Sequence, residues 1–161
     1  MTSNKPTVII GRAEHIRFVD FSDQLIPAKI DTGADLSSVW ATAISEELGT
    51  LSFSLFGPGS PYFTGKTIQL GEDDYRLTWI SNSFGARERR YVVKLKVRLE
   101  GRLIKASFSL SNRNRKTYPI LIGRKLLNGK FIVDVSKGKI LAKMSETERA
   151  KLILDIKPDQ D

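Results

Sequence analysis

Apolar residues along this chain occur in short runs with a two-residue period, which is typical of β-strands. In Tyr91–Leu99 every second residue from Tyr91 is apolar, and the positions between carry mainly Lys or Arg. Glu100–Gly101 can turn the chain, and Ile104–Leu110 alternates in the same way on the return. The two segments predict a two-stranded ribbon with one buried face and one basic, solvated face.

Further short apolar runs predict more strands, several of them bounded by Gly or Pro. They are Val8–Ile10, Ile16–Val19, Leu25–Ile30, Leu51–Phe56, Thr67–Leu70, Tyr75–Ile80, Tyr118–Ile122 and Lys130–Val135. A short helix is predicted at Arg124–Leu127, and a capping-box spacing at Ser145–Glu148 predicts a C-terminal helix over about 145–157. We therefore expect a mainly β protein with a single domain, 1–161, whose core is about 7–144.

The composition excludes several kinds of cross-link and metal site. There is no Cys and one His, His15, so disulfides, thiolate metal sites and histidine-rich zinc sites are excluded. We expect no metal and no cofactor, and catalysis resting on carboxylates, lysines or hydroxyls. No apolar run approaches the roughly 18 residues of a membrane span, and the polar N-terminus lacks a signal-peptide pattern. We therefore expect a cytoplasmic protein with no membrane partner.

Positive charge is concentrated in one part of the chain. The net charge is +8, and between Arg87 and Lys130 fourteen Lys or Arg face only Glu88 and Glu100. Such a block could meet nucleic acid, the ribosome or an acidic peptide. It could equally be a set of solvated strand faces that keep the protein soluble.

The candidate chemistry begins with Asp31 in Lys29-Ile30-Asp31-Thr32-Gly33-Ala34. Asp31 follows an apolar strand, and Gly33 and Ala34 are small enough for close approach by a neighbouring segment. The triplet Asp-Thr-Gly is short, however, and an Asp that caps a turn after a strand is an equally simple explanation.

A second segment favours an active-site role for Asp31 over a turn-capping role. Ile120-Leu121-Ile122-Gly123-Arg124 is an apolar strand that ends in Gly and is followed by a short apolar helix. Together with Asp-Thr-Gly-Ala it resembles the retropepsins, the dimeric aspartic proteases of retroviral type. The resemblance implies a closed β-barrel of the acid-protease fold. It also implies that Ala34, Asp35, Gly123 and Arg124 support the active site, with an Asp35–Arg124 ion pair.

Additional motifs narrow the resemblance to one bacterial and archaeal family. Arg90–Val93, Ser111–Arg113, Tyr118–Arg124 and Leu127–Asp134 look like the RimB-like family, whose members are also called ATP-dependent zinc proteases. Relatives often carry Arg at the position of Asp35 and His at that of Trp40, which leaves the substrate preference open. One His, no Cys and no nucleotide-binding glycine loop give the zinc and ATP labels no support.

The chain contains a single Asp-Thr-Gly, which has a mechanistic consequence. Peptide hydrolysis of this type needs two carboxylates that share one proton. We therefore expect a homodimer in which Asp31 and its copy form the catalytic pair. By resemblance, Thr32 hydrogen-bonds across the dimer axis, and Asp31, Thr32 and Gly33 are the catalytic residues.

Retropepsins also cover the substrate with a flap hairpin. By resemblance this flap is near Trp79–Arg90, with Ser83, Phe84 and Gly85 at its tip and Arg87 and Arg89 beside the cleft. Some relatives are linked to enzymes that add glutamate tails to proteins, and arginines suit acidic peptides. An ordinary surface loop is the simpler alternative for this segment.

Three functions are therefore compared. The leading hypothesis is a homodimeric aspartic peptidase, not a zinc peptidase, acting on a peptide or protein substrate that could be glutamate-rich. A catalytically silent peptide-binding module of the same fold is the second. A basic RNA- or ribosome-binding domain is the third, and the lack of aromatic residues among the basic strand positions argues against it.

Overall fold

The computed structural model describes residues 5–82 and 84–138. Most of this part consists of strands: β1 (Val8–Ile10), β2 (Ala13–Phe18), β3 (Ile26–Ile30), β4 (Ser37–Glu47), β5 (Thr50–Leu55), β6 (Ile68–Gly71), β7 (Tyr75–Ser81), β8 (Arg87–Leu99), β9 (Arg102–Ser111), β10 (Ile120–Ile122) and β11 (Phe131–Val133). A 3₁₀ helix, Glu72–Asp74, precedes β7, and the helix α1 is Arg124–Leu127. The predicted mainly β fold and short helix are confirmed. The helix predicted over about 145–157 lies outside the described residues.

Six strands form a closed hydrogen-bonded ring in the order β3–β2–β8–β9–β4–β10. β10 closes it by pairing in parallel with β3, where Ile122 is opposite Ile30, and antiparallel with β4, where Leu121 is opposite Ser38. β4 also pairs in parallel with β9. Because β10 bridges the strands before and after Asp31, the ring holds both ends of the Asp31 loop.

The strand β4 is missing from the sequence-based prediction, because its first half buries polar side chains. Ser37 and Ser38 are as inaccessible to solvent as ordinary core residues, at 1% and 6% exposure. The Gly123 N–H donates to Ser37 Oγ at 3.0 Å, and Ser38 Oγ lies 2.7 Å from Ser111 Oγ. The hydroxyls thus have hydrogen-bond partners far away in sequence, so their burial leaves neither hydroxyl unsatisfied.

The remaining strands extend from the ring. Beyond Trp40, β4 pairs with β5, and β5 pairs with β6. β7 pairs antiparallel with the first half of β8 and forms a long hairpin with it. β1 and β11 form a separate parallel pair. Neither of the helices in the described part of the chain is long and apolar enough to cross a membrane.

Three phenylalanines from distant parts of the chain meet in the core. The ring of Phe18 lies 5.6 Å from that of Phe108 and 6.4 Å from that of Phe56, measured between centroids. The rings are tilted or edge-on, which is the favourable arrangement for aromatic pairs. They connect β2, β9 and the residue that follows β5, which are distant from one another in sequence.

We expect Phe18→Ala to lower the free energy of unfolding by about 3–5 kcal/mol, because it removes a fully buried ring and leaves a cavity. Urea unfolding followed by circular dichroism measures this change. Leu103→Ala is the matched control, since Leu103 is 53% exposed and its removal should change stability little. Equal effects of the two substitutions would contradict the packing described.

Candidate active site

Asp31 occupies the first position after β3, in a tight loop. Its backbone N–H donates to Ile122 O of β10 at 2.8 Å, and its carbonyl accepts from the Ala34 N–H at 3.3 Å. The Gly33 N–H donates to Asp31 Oδ1 at 3.0 Å. The carboxylate is therefore held in one orientation by the backbone of its own loop, and it remains partly exposed to solvent.

Gly123 forms the underside of this loop. A Cβ atom at Gly123 would lie 2.6 Å from Leu36 O and 2.8 Å from Ala34 O, closer than atoms can pack. The next two backbone N–H groups continue the contact, Arg124 to Ala34 O at 2.7 Å and Lys125 to Asp35 O at 3.1 Å. Only Gly fits here, and the start of α1 is thereby hydrogen-bonded to the loop.

The Arg124 side chain braces the loop from outside. Its Nη1 donates to Thr32 O at 3.2 Å and to Gly33 O at 3.3 Å. Its Nη2 forms the ion pair with Asp35 that the sequence led us to expect. The two side chains are 53% and 67% exposed, so in water the charge pair itself adds little stability. Its role is geometric, since one guanidinium contacts three residues of the loop, Thr32, Gly33 and Asp35.

The β7–β8 hairpin ends in a turn organised by Asn82. Asn82 Oδ1 accepts from the N–H groups of Phe84 and Ala86, each at 3.0 Å. Gly85 has a φ of +79°, which glycine adopts without strain. Phe84 is 93% exposed at the tip. Ser83, predicted as part of this tip, lies outside the described residues.

The arginines of the hairpin lie on two different faces. Trp79 is opposite Arg89 in the ladder, and the guanidiniums of Arg87 and Arg89 lie 5.7 and 5.9 Å from the Trp79 ring centroid. Arg90 points to the other face, because successive side chains of a strand alternate, and there it pairs with Glu88. The structure therefore separates Arg87 and Arg89 from Arg90.

Arg113 is a further arginine, in the segment between β9 and β10. It is partly buried, and its Nε donates to Tyr118 O at 3.0 Å. Burial, and then the positive charge of Arg90, lower the pKa of Arg113 below its ordinary value, while the Asp31 carboxylate acts in the opposite direction.

Part of this chain matches a known protein family. Residues 67–144 match a family described as RimB-like, retropepsin-like aspartic endopeptidase RimB. The RimB-like resemblance is confirmed. The matched residues include the hairpin, β8, β9, Arg113, Gly123 and Arg124 and begin after Asp31. The Asp31 loop is connected to this RimB-like segment by the hydrogen bonds to Ile122, Gly123 and Arg124 described above.

Longer proteins and one solved structure are also similar to this chain. Proteins named "Probable alpha-L-glutamate ligase" match at 30% identity in Shewanella halifaxensis, over 94% of this chain and 33% of the relative, and at 28% in Desulfotalea psychrophila, over 89% and 31%. The chain spans about a third of the length of these curated relatives. A Legionella pneumophila protein of unknown function (DUF785) has a TM-score of 0.62 and 23% identity over 84% of this chain and 98% of that one, which shows the fold.

The sequence analysis predicted that the Gly123–Arg124 segment supports the Asp31 loop. In the structure the two segments are in direct contact. The sequence analysis did not single out Ser37, whose hydroxyl accepts the Gly123 N–H. Arg113 belongs to the Ser111–Arg113 motif, and the sequence gave no indication that its side chain holds the Tyr118 carbonyl. Trp40 has a buried Nε1 without a hydrogen-bond partner in the described residues.

We expect Gly123→Ala to lower the free energy of unfolding by at least about 1–3 kcal/mol, because the new methyl group would overlap backbone oxygens that cannot move separately. Denaturant titration measures this loss. Gly71→Ala in β6 is the control, since a Cβ at Gly71 would meet open space. A Gly123 variant as stable as the Gly71 variant would rule out the close contact.

Proposed function

We propose that this chain is a homodimeric aspartic peptidase that uses Asp31 from each of two copies. The observation that carries the proposal is the Asp31 carboxylate, fixed by the Gly33 N–H at a loop braced by Gly123 and Arg124. The RimB-like match over residues 67–144 supports the same reaction class, since that family is described as retropepsin-like aspartic endopeptidase.

The proposed reaction requires two carboxylates about 3 Å apart. The ionised carboxylate takes a proton from a water molecule as that water attacks the scissile carbonyl carbon, and the protonated carboxyl donates to the carbonyl oxygen. Collapse of the tetrahedral intermediate then breaks the C–N bond, and the amine leaves with a proton. No metal ion enters this scheme.

One chain supplies one such carboxylate at this loop, because Asp35 is already paired with Arg124. Thr32, Gly33, Asp35 and the Arg124 side chain are exposed in the single chain, which agrees with a surface that a second copy covers. A two-fold axis beside Thr32 would bring both Asp31 side chains together, in the isologous arrangement common to homodimers.

The proposed substrate is an acidic, glutamate-rich peptide. Support comes from the net charge of +8, from the excess of Lys and Arg between positions 87 and 130, and from Arg87 and Arg89 on the hairpin. The relatives named "Probable alpha-L-glutamate ligase" supply a second reason, since glutamate ligation would create such peptides. The β7–β8 hairpin would cover the bound peptide and exclude water.

We expect Asp31→Asn to lower the rate of peptide cleavage by at least about 10²-fold, because the amide cannot act as a base or share the proton. Cleavage of a glutamate-rich peptide is followed by mass spectrometry, with and without a chelator, which should have no effect. Asp73→Asn is the control, since Asp73 is exposed in the 3₁₀ helix. If the parent chain binds this peptide without cleaving it, the silent binding module replaces the peptidase.

A site shared by two copies leads to a second prediction, which concerns mixtures of the parent chain and the Asp31→Asn chain. Excess Asp31→Asn chain, equilibrated with the parent chain, should lower the parent's activity in proportion to the fraction of mixed dimers, because a mixed dimer has one carboxylate. Native mass spectrometry of the same samples, with the variant chain isotopically labelled, gives that fraction. The Asp73→Asn chain in equal excess should not inhibit. Activity that is unaffected by the Asp31 variant, while mixed dimers form, would exclude a shared pair.

A further inference from the structure

The outward-facing side chains of β2, β8 and β9 place like charges directly opposite each other. Arg17 of β2 is opposite Arg98 of β8, and Lys96 of β8 is opposite Lys105 of β9. Lys94 is the next residue of β8 on the same side, because successive side chains of a strand alternate. Arg17 is half-buried, and the other four side chains are exposed. We call these five residues the basic sheet face.

This arrangement is unfavourable for the sheet itself. Like charges directly opposite each other destabilise a pair of strands, because their Cβ atoms are only about 5 Å apart. Arg98 and Lys96 are two residues apart on β8, so the two like-charge pairs occupy successive rows about 7 Å apart. The face therefore concentrates four cations on neighbouring positions of one hydrogen-bonded sheet.

The described part of the protein does not neutralise this charge. Asp and Glu are absent from the strand segments that carry the face, 15–19, 94–98 and 103–107. The ion pairs within the described residues are Arg90–Glu88 and Arg124–Asp35, and neither includes a residue of the basic sheet face. A surface that breaks a local pairing rule without compensation inside the protein is characteristic of a functional site.

The composition of the face distinguishes between negatively charged partners. The centre of a protein–protein interface is rich in aromatic and apolar side chains and poor in Lys. Here the central strand presents Lys94, Lys96 and Arg98, and the exposed apolar residues Val19 and Leu103 lie beside it on either side. A membrane-binding surface likewise needs apolar side chains that insert below the headgroups. The face therefore fits a partner whose charge is dense and whose surface is polar.

Nucleic acid is such a partner, and the face favours a duplex over a single strand. Proteins that bind single strands stack the bases on aromatic side chains, and the outward positions of the three strand segments contain no Phe, Tyr or Trp. A duplex presents its phosphates on the outside, with one negative charge for about every 1.7 Å of its axis. Lys and Arg bind these phosphates without contacting the bases.

We propose that the basic sheet face binds the phosphate backbone of a nucleic-acid duplex without reading its sequence. The proposal is independent of the peptidase function, since Asp31, its loop and the arginines of the β7–β8 hairpin take no part in it. Because only phosphates are contacted, RNA and DNA duplexes of the same sequence should bind with similar affinity.

The test measures the affinity of the full chain for a fluorescently labelled RNA duplex of mixed sequence by anisotropy, between about 0.05 and 0.3 M salt. The logarithm of the association constant should fall with the logarithm of the salt concentration with a slope of about −3 to −4.5, as expected for roughly three to five phosphate contacts. The double variant Lys96→Gln, Lys105→Gln should bind about 10- to 100-fold more weakly at about 0.1 M salt, and its slope should be smaller in magnitude by about 2.

The matched control removes the same charge elsewhere. Lys66 and Lys116 are exposed lysines outside the face, and the double variant Lys66→Gln, Lys116→Gln should bind the duplex as tightly as the parent. Equal weakening by the two double variants would indicate a general attraction to the net charge of +8 and would overturn the proposal. Urea unfolding of the variant at Lys96 and Lys105 should show no loss of stability, because the substitutions remove a repulsion, so its weaker binding cannot come from unfolding.

Other ligands identify the partner. A DNA duplex, polyglutamate, and vesicles of phosphatidylserine and phosphatidylcholine are compared with the RNA duplex under the same conditions. Tighter binding of polyglutamate or of the vesicles, lost in the variant at Lys96 and Lys105, would overturn the duplex in favour of an acidic protein or a membrane. The Asp31→Asn chain should bind the duplex like the parent, whether or not the peptidase proposal holds.

Discussion

The close backbone contact between Gly123 and the Asp31 loop is the constraint on which the candidate site depends. The loop carbonyls of Ala34 and Leu36 approach Gly123 so closely that no side chain can stand there. This approach lets the Arg124 N–H reach Ala34 O and lets the Arg124 side chain reach the carbonyls of Thr32 and Gly33. The direction of the Asp31 carboxylate is therefore fixed by backbone geometry more than by charge.

The same contact explains why β4 contains buried serines. A strand that runs beside Gly123 must satisfy the Gly123 N–H, and Ser37 Oγ does so within the closed ring. Ser38 Oγ then contacts Ser111 Oγ and the backbone carbonyl of Ser109, which extends these polar contacts to β9. Buried polar groups that are all paired specify one register, whereas apolar side chains of similar size would tolerate sliding. The buried serines thus fix the register of the strands at the site, although they add little hydrophobic stabilisation.

The distribution of charge around the hairpin gains meaning only in three dimensions. In sequence, Arg87, Arg89 and Arg90 form one basic group. On the hairpin the first two stack on Trp79, and the third lies on the opposite face, where it pairs with Glu88. Strand alternation therefore divides one basic segment into two surfaces with different neighbours. Counting the charges along the sequence therefore does not show which arginines share a surface.

Local patterns were sufficient for much of this protein. Alternation predicted the β8–β9 ribbon, the apolar runs predicted most other strands, and the resemblance of the Asp31 and Gly123 motifs to the retropepsins implied the Asp35–Arg124 ion pair, which the structure contains. These features depend on neighbours within a few residues or on short motifs. The strand β4 and the role of Ser37 were decided by the tertiary structure. The partners of the β4 serines lie in segments distant in sequence, and only closure of the ring brings those hydroxyls and backbone groups together.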